Sequence, residues 1–334
     1  MRTAYWARGA RASTIGCTLA LALGCQDGAP RGNEARPSLP VPPPAAPTAV
    51  PSPSAPPRPS PPATTASAGP SAADPLAGLA RYFPPEASPQ NRRPLLVFLH
   101  GLGATGKLAF DVLGLASFGK RRALFVVAPT GDVDRAQRAY WNAHPACCDF
   151  DGQGIDHTRR IRRLIDELEA AYPIDPKRVF VIGFSNGGFF AHRLACLLAD
   201  KLAGVVSVAG AGPDPSLPCV VPKHLRVLEI HGDADKTVFY EGGTLFDRPG
   251  ATYASATSTF EDWAARLGCT GPAADTGARD LEPKLPGDET DTREYRDCTR
   301  GSVALWTVHG GSHLIATRSA ALEQAWQYVT GGAD

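Results

Sequence analysis

The chain has 334 residues, 43% of them hydrophobic, and balances 34 lysines and arginines against 33 aspartates and glutamates. A net charge of +1 leaves no basic excess to hold nucleic acid or an anionic membrane surface, and the length allows one large domain or two small ones. The 32 prolines crowd the first quarter, so the folded unit is expected to be shorter than the chain.

Arg2, Arg8 and Arg11 flank a mostly apolar run from Ile15 to Leu23, too short to span a bilayer but suited to the core of a signal peptide. It ends in Leu21-Ala22-Leu23-Gly24-Cys25, which resembles a degenerate bacterial lipobox and implies a lipid on Cys25; simple cleavage is the alternative. Gln26 is not the aspartate that retains many lipoproteins in the inner membrane, which favours the outer membrane; the expected location is the outer membrane or cell surface, the periplasm, or the medium as a secreted protein. Residues 26–75 are Pro, Ala and Ser with almost no aromatic side chain, so they cannot bury enough surface to offset ordering entropy. They read as an extended spacer, a stalk that holds a domain of residues 76–334 away from the anchor.

In the folded part, Leu95–Leu99 and Ala123–Ala128 are continuous apolar runs that read as strands buried on both faces. Ile155–Tyr172 carries Ile161, Leu164, Ile165 and Leu168 at helical spacing, with Asp156 as a candidate N-cap and Pro173 as the stop. Arg178–Ile182 reads as a strand, Gly187–Leu198 as a helix, and Gly204–Val208, Leu225–Ile230 and Val303–Val308 as further strands. Ser319–Val329 closes the chain as an amphipathic helix. Buried strands alternating with helices predict an α/β fold with a mostly parallel central sheet covered on both faces, and a site beyond the carboxyl ends of the strands.

Beside Cys17 in the leader and Cys25, six cysteines remain, with no spacing that suggests metal ligands. In an exported chain they read as disulfides. Cys196–Cys219 and Cys269–Cys298 would each close a loop of a few tens of residues and contribute about 3 kcal/mol. Adjacent Cys147 and Cys148 could form a vicinal bridge or stay reduced.

Gly183-Phe184-Ser185-Asn186-Gly187 follows a predicted buried strand and opens a predicted helix, the context in which a Gly-x-Ser-x-Gly string lifts a nucleophilic serine clear of a sheet. A serine needs a base, and His313 lies just past the last strand; the base needs an acid, and His231-Gly232-Asp233-Ala234-Asp235 ends the strand before it. Asp235 is preferred because the acid sits a few residues beyond its strand, leaving Asp233 as a turn residue that caps its own loop. The order Ser185, Asp235, His313 is that of the α/β-hydrolase fold. The oxyanion of acyl transfer needs two donors, assigned to the Asn186 N–H and the Leu102 N–H in the His100-Gly101-Leu102-Gly103 loop. His100 is then a shaping residue, and His144, His157, His192, His224, His231 and His309 are read as structural. Trp141, Tyr240 and Trp263 could either line an aromatic acyl pocket or pack in the core. No cofactor or metal is called for.

From about Arg93 to His313 the chain resembles the exported polyhydroxybutyrate depolymerase and feruloyl esterase-like family of α/β-hydrolases. The resemblance rests on Phe98-Leu99-His100-Gly101, the Cys147-Cys148 pair, Asp175-Pro176-Lys177-Arg178-Val179-Phe180 before the serine motif, Arg193-Leu194-Ala195-Cys196 and His231-Gly232-Asp233-Ala234-Asp235. Tyr240-Glu241-Gly242-Gly243, Trp263 ahead of Gly268-Cys269, and Gly310-Gly311-Ser312-His313 extend it. After His313, Leu314-Ile315-Ala316 replaces the Trp-Pro stretch of many members. The resemblance implies the Ser185-Asp235-His313 triad, an acyl-enzyme route without cofactor, and both long-range disulfides. The expected activity is that of an exported serine esterase on short-chain, hydroxyalkanoate or hydroxycinnamoyl esters. With no polymer-binding module visible, soluble esters or plant cell-wall fragments are favoured over an insoluble polymer. The rival readings are a serine peptidase of the prolyl-oligopeptidase type and an inert binding protein on a stalk.

Overall fold

Strands made of unbroken apolar sequence have to be covered on both sides, and the chain covers them with two helical layers. A computed structural model describes residues 76, 78–246, 250–315 and 319–332; the expected leader, Cys25 and the spacer lie outside the described residues. In chain order the elements are β1 (Ala80–Tyr82), β2 (Arg93–Leu99), α1 (Gly106–Val112), α2 (Leu115–Arg122), β3 (Phe125–Ala128), β4 (Asp132–Val133), β5 (Ala139–Tyr140), α3 (His157–Ala171) and β6 (Ile174–Phe184). There follow α4 (Asn186–Leu197), β7 (Gly204–Val208), β8 (Leu225–Gly232), α5 (Ala256–Leu267), β9 (Ala274–Arg279), β10 (Thr290–Cys298), β11 (Gly301–Val308) and α6 (Ser319–Thr330).

Nine strands form one sheet in the order β1-β3-β2-β6-β7-β8-β11-β10-β9, with β4 and β5 as a separate hairpin. The middle run from β3 to β11 is parallel, and β1, β10 and β9 add antiparallel edges. Successive side chains of a strand point to opposite faces. Leu95, Val97 and Leu99 of β2 accordingly join Ile161 and Ile165 of α3, Phe190 of α4 and Trp263 of α5 in one buried cluster. Leu96 and Phe98 enter the other cluster with Phe110 of α1, Phe118 of α2 and Trp326 of α6. There Trp326 meets Phe180 and Phe118 edge-on at 4.9 and 5.8 Å between ring centroids.

The predicted strands and the three predicted helices all form, with local shifts that have local causes. Asp156 caps α3 by accepting from the Arg159 N–H at 2.9 Å. The strand expected from Ala123 starts at Phe125, because Ala123 is the left-handed C-cap of α2 at φ 50°. Cys196–Cys219 and Cys269–Cys298 are bridged, and Cys147 is bonded to Cys148 across a cis peptide. The register matters most for function: Leu99 of β2 pairs with Gly183 of β6, Phe184 with Val208 of β7, and Gly232 of β8 with Val308 of β11. The loops that leave these strand ends therefore meet along one rim.

Cys269 lies just past α5 and Cys298 ends β10, 29 residues on, so their bond ties the second strand from the sheet edge to a helical layer. Replacing both by alanine is expected to cost about 3 kcal/mol of unfolding free energy by freeing the unfolded chain. A fall in urea midpoint at unchanged slope would register it, and an unmoved midpoint would count against a stabilising bridge.

Candidate active site

Between β6 and α4 the chain reverses within one residue. Ser185 does this at φ 55° and ψ −118°, a strained backbone for a residue with a side chain, and its N–H donates to the Val208 carbonyl at 2.8 Å. The flanking glycines have a steric reason: a Cβ on Gly183 would run into the Gly187 carbonyl, and one on Gly187 into the carbonyls of Leu99 and His100. Ser185 thereby stands at the mouth of α4, whose first N–H groups lack partners within the helix.

Two other rim loops bring the predicted base and acid to it. The Ser185 hydroxyl donates to His313 Nε2 at 3.0 Å, and His313 Nδ1 donates to Asp235 Oδ2 at 2.7 Å. The other oxygen of Asp235 accepts from the N–H groups of Thr237 and Val238 at 2.7 and 3.0 Å. Burial pushes this carboxyl up, but its bonds with His231, His313 and the Thr237 N–H outweigh that and hold it well below the usual carboxylate range. Asp233 caps the neighbouring loop instead of its own, accepting from the Gly310 N–H at 2.7 Å and from His309 Nδ1 at 2.9 Å. The Ala234 N–H donates to the Gly311 carbonyl at 3.0 Å, so the loops carrying Asp235 and His313 are latched together.

The loop after β2 forms the other wall. His100 Nε2 accepts from the Gly131 N–H at 3.0 Å, so the ring must donate from Nδ1, which it does to the Gly101 carbonyl at 2.8 Å. Burial lowers its pKa to about 4, leaving a neutral ring that shapes the loop. Asn186 is buried, and its side chain accepts from the Trp141 N–H at 2.7 Å and donates to the Trp141 carbonyl at 2.9 Å. Trp141 Nε1 in turn donates to the His100 carbonyl at 3.0 Å. One tryptophan thus joins the segments that carry the Asn186 and Leu102 N–H groups.

The cleft in front of Ser185 has a volume of about 310 Å³ and is walled by Leu102, the Cys147-Cys148 pair, Phe184, Leu245 and Phe246. Trp141 and Trp263, considered above as pocket residues, do not line it: both are fully buried, Trp141 stacked on Phe190 and Trp263 beneath His192. Tyr240 also stands off the cleft, with its hydroxyl on Thr307 Oγ1 at 2.8 Å. Phe184, Leu245 and Phe246 were not foreseen; the first is the variable residue of the serine motif, and the others sit in a long loop with no pattern to mark them. A second apolar cavity of about 220 Å³, between α1 and α6, borrows Phe184 and Gly101 but none of the three hydrogen-bonded residues.

Residues 85–249 match the family model described as Phospholipase/Carboxylesterase. The chain is 32% identical over 316 residues to the predicted esterase NocK of Nocardia uniformis subsp. tsuyamanensis, covering 88% of each protein. It is 30% identical over 186 residues to feruloyl esterase B of Piromyces equi, a match that takes in 52% of this chain but only 31% of that protein's length. An acetyl xylan esterase from Aspergillus awamori superposes on 74% of this chain and 92% of its own with a TM-score of 0.53 at 14% identity, a likeness of fold alone.

Two outcomes follow for the site. Asn186→Ala would strand the buried N–H and carbonyl of Trp141, and urea unfolding should show a loss of about 2 kcal/mol, whereas a loss near zero would contradict that bridge. A depressed carboxyl contributes stability that is complete above its unfolded value, about 3.9, and is lost as pH falls through its folded value. The stability difference between wild type and Asp235→Asn should therefore shrink as pH drops below about 4; a difference independent of acid would refute the linkage.

Proposed function

This chain belongs to the esterase-like α/β-hydrolases, a family of carboxylic ester hydrolases, and we propose that it is an exported serine esterase using Ser185 as nucleophile, His313 as base and Asp235 as the acid. The observation that carries the reading is the unbroken hydrogen-bonded line from the Ser185 hydroxyl through His313 to Asp235, opening on an apolar cleft. In the first step His313 Nε2 takes the Ser185 proton while Oγ bonds to the ester carbonyl carbon, and the oxyanion is met by the N–H groups of Asn186 and Leu102. The carbon–oxygen bond to the alcohol then breaks, His313 returns the proton to the departing alcohol, and a water activated by His313 releases the acid from Ser185.

Among the described residues the walls of the cleft carry no lysine or arginine, which favours a neutral acyl group over an anionic one. Its size and its aliphatic, sulfur and aromatic walls favour a short-chain, hydroxyalkanoate or hydroxycinnamoyl ester. Three disulfides support a life in an oxidising compartment, in keeping with a leader over residues 1–25, a lipid on Cys25 and a spacer over residues 26–75.

Wild type should be labelled by a fluorophosphonate at Ser185 and should release a chromogenic alcohol in a burst. Ser185→Ala should abolish both, with kcat down by about 10⁵ or more. Turnover that survives in the variant would end the assignment. Acetyl, hydroxybutyryl and feruloyl esters run side by side, with a peptide panel, would fix the acyl class and separate an esterase from a peptidase.

A further inference from the structure

Behind the acid of the site, four buried side chains from three elements form one hydrogen-bonded line. Glu229 and His231 lie two residues apart on β8, so both project to the same face. Glu229 Oε1 lies 3.1 Å from His231 Nδ1, and its Oε2 lies 2.9 Å from Nε2 of His192 on α4. His192 Nδ1 lies 2.9 Å from Nε1 of Trp263 on α5.

The two ends of this line dictate where its protons are. An indole N–H can only donate, so His192 Nδ1 accepts and the proton of its neutral ring sits on Nε2, directed at Glu229. At the other end His231 Nε2 lies 2.8 Å from the Val238 carbonyl, which can only accept, so that nitrogen also carries a proton. One proton remains, between Glu229 Oε1 and His231 Nδ1. Asp235 decides its place: Oδ2, the oxygen that accepts from His313, lies 3.5 Å from His231 Nε2, and its negative charge favours a cation there.

We propose that His231 is a buried imidazolium, charged through the neutral pH range, that positions Asp235 and keeps it ionised, and so lowers the tendency of His313 to hold a proton in the resting enzyme. This rests on reading Ser185, His313 and Asp235 as the hydrolytic machinery; His231 touches none of the reacting atoms and is a positioning residue. Burial opposes the charge, but the bonds to Asp235 and Glu229 and the attraction of Glu229 outweigh it and lift the ring to about 9. Burial likewise pushes Glu229 up, yet the bonds from His192 and His231 leave it below its ordinary value. Two tyrosines also stand close: the Tyr240 ring meets that of His231 edge-on at 5.7 Å while its hydroxyl is taken up by Thr307, and Tyr253, raised by burial and by the charge of Asp235, accepts from the Phe239 N–H at 2.8 Å. His192 stands behind Glu229, and His313 behind Asp235.

Glu229→Gln separates charge from structure. A glutamine amide can donate to His231 Nδ1 and accept from His192 Nε2, so the bonds survive while the extra proton leaves and the ring becomes neutral. Without the cation, Asp235 attracts a proton onto His313 more strongly, and the base is protonated up to a higher pH. The acid limb of kcat/KM should therefore move up by about one pH unit, with KM changed less than about twofold. A role confined to packing would lower activity without moving the limb. His231→Gln should move the limb in the same direction.

The direct readout is nitrogen NMR of histidine-labelled wild type, with His231 assigned through its contact with Tyr240. Both ring nitrogens should stay protonated from about pH 5 to about pH 8, the range over which an ordinary histidine titrates. A ring that is neutral at neutral pH overturns the proposal, as does a Glu229→Gln enzyme whose acid limb stays in place. If wild type hydrolyses no ester, the proposed function fails instead, and the NMR measurement still decides the charge on His231.

Discussion

The turn at Ser185 constrains everything around it. A single residue at φ 55° has to end β6 and start α4, and that is possible only where the backbone of the next helical turn presses against β2 with no side chain between. Gly183 and Gly187 are there for clearance. Because α4 is thereby pinned against the sheet, its first N–H groups and the loop after β2 face the same small volume, and the serine is raised above the strand ends. The register of β8 against β11 then sets how far the loops carrying Asp235 and His313 extend toward it.

Around this turn the polar groups follow a pattern. Three buried histidines are each held by a donor or acceptor that can play only one part, and this removes their freedom. The Gly131 N–H fixes the tautomer of His100, the Trp263 indole that of His192, and the Val238 carbonyl puts a proton on His231. The carboxylates Asp235 and Glu229 are each satisfied on both oxygens, which is how charges survive with so little exposure.

The central strands were legible because burial on both faces leaves an unbroken apolar run, and α3 because its charges keep to one side. Outer elements carried weaker signals. Strands β9 and β10 are mostly polar, since one face of the sheet edge meets solvent, and Thr290, Thr292 and Glu294 hold the inward positions of β10 where aliphatic residues would have announced it. Helices α1 and α2 span seven and eight residues and are joined through Gly114 in a left-handed turn, too short for a periodic pattern to emerge. At the site, residues on motifs could be named in advance because motif spacing follows backbone geometry. The walls could not: an aromatic side chain looks the same in sequence whether it faces a cleft, like Phe246, or the core, like Trp141 and Trp263.

The cysteines are unevenly placed through the molecule. All six among the described residues lie in or against the cluster beneath α3, α4 and α5, and none lies in the cluster beneath α1, α2 and α6. The domain is thus cross-linked on one side of its sheet and held on the other by noncovalent contacts, the ion pairs of Glu323 with Arg121 and Arg122 among them. Under reducing conditions only the first layer loses covalent restraints; the second has none to lose, and it is the layer that holds the cavity between α1 and α6.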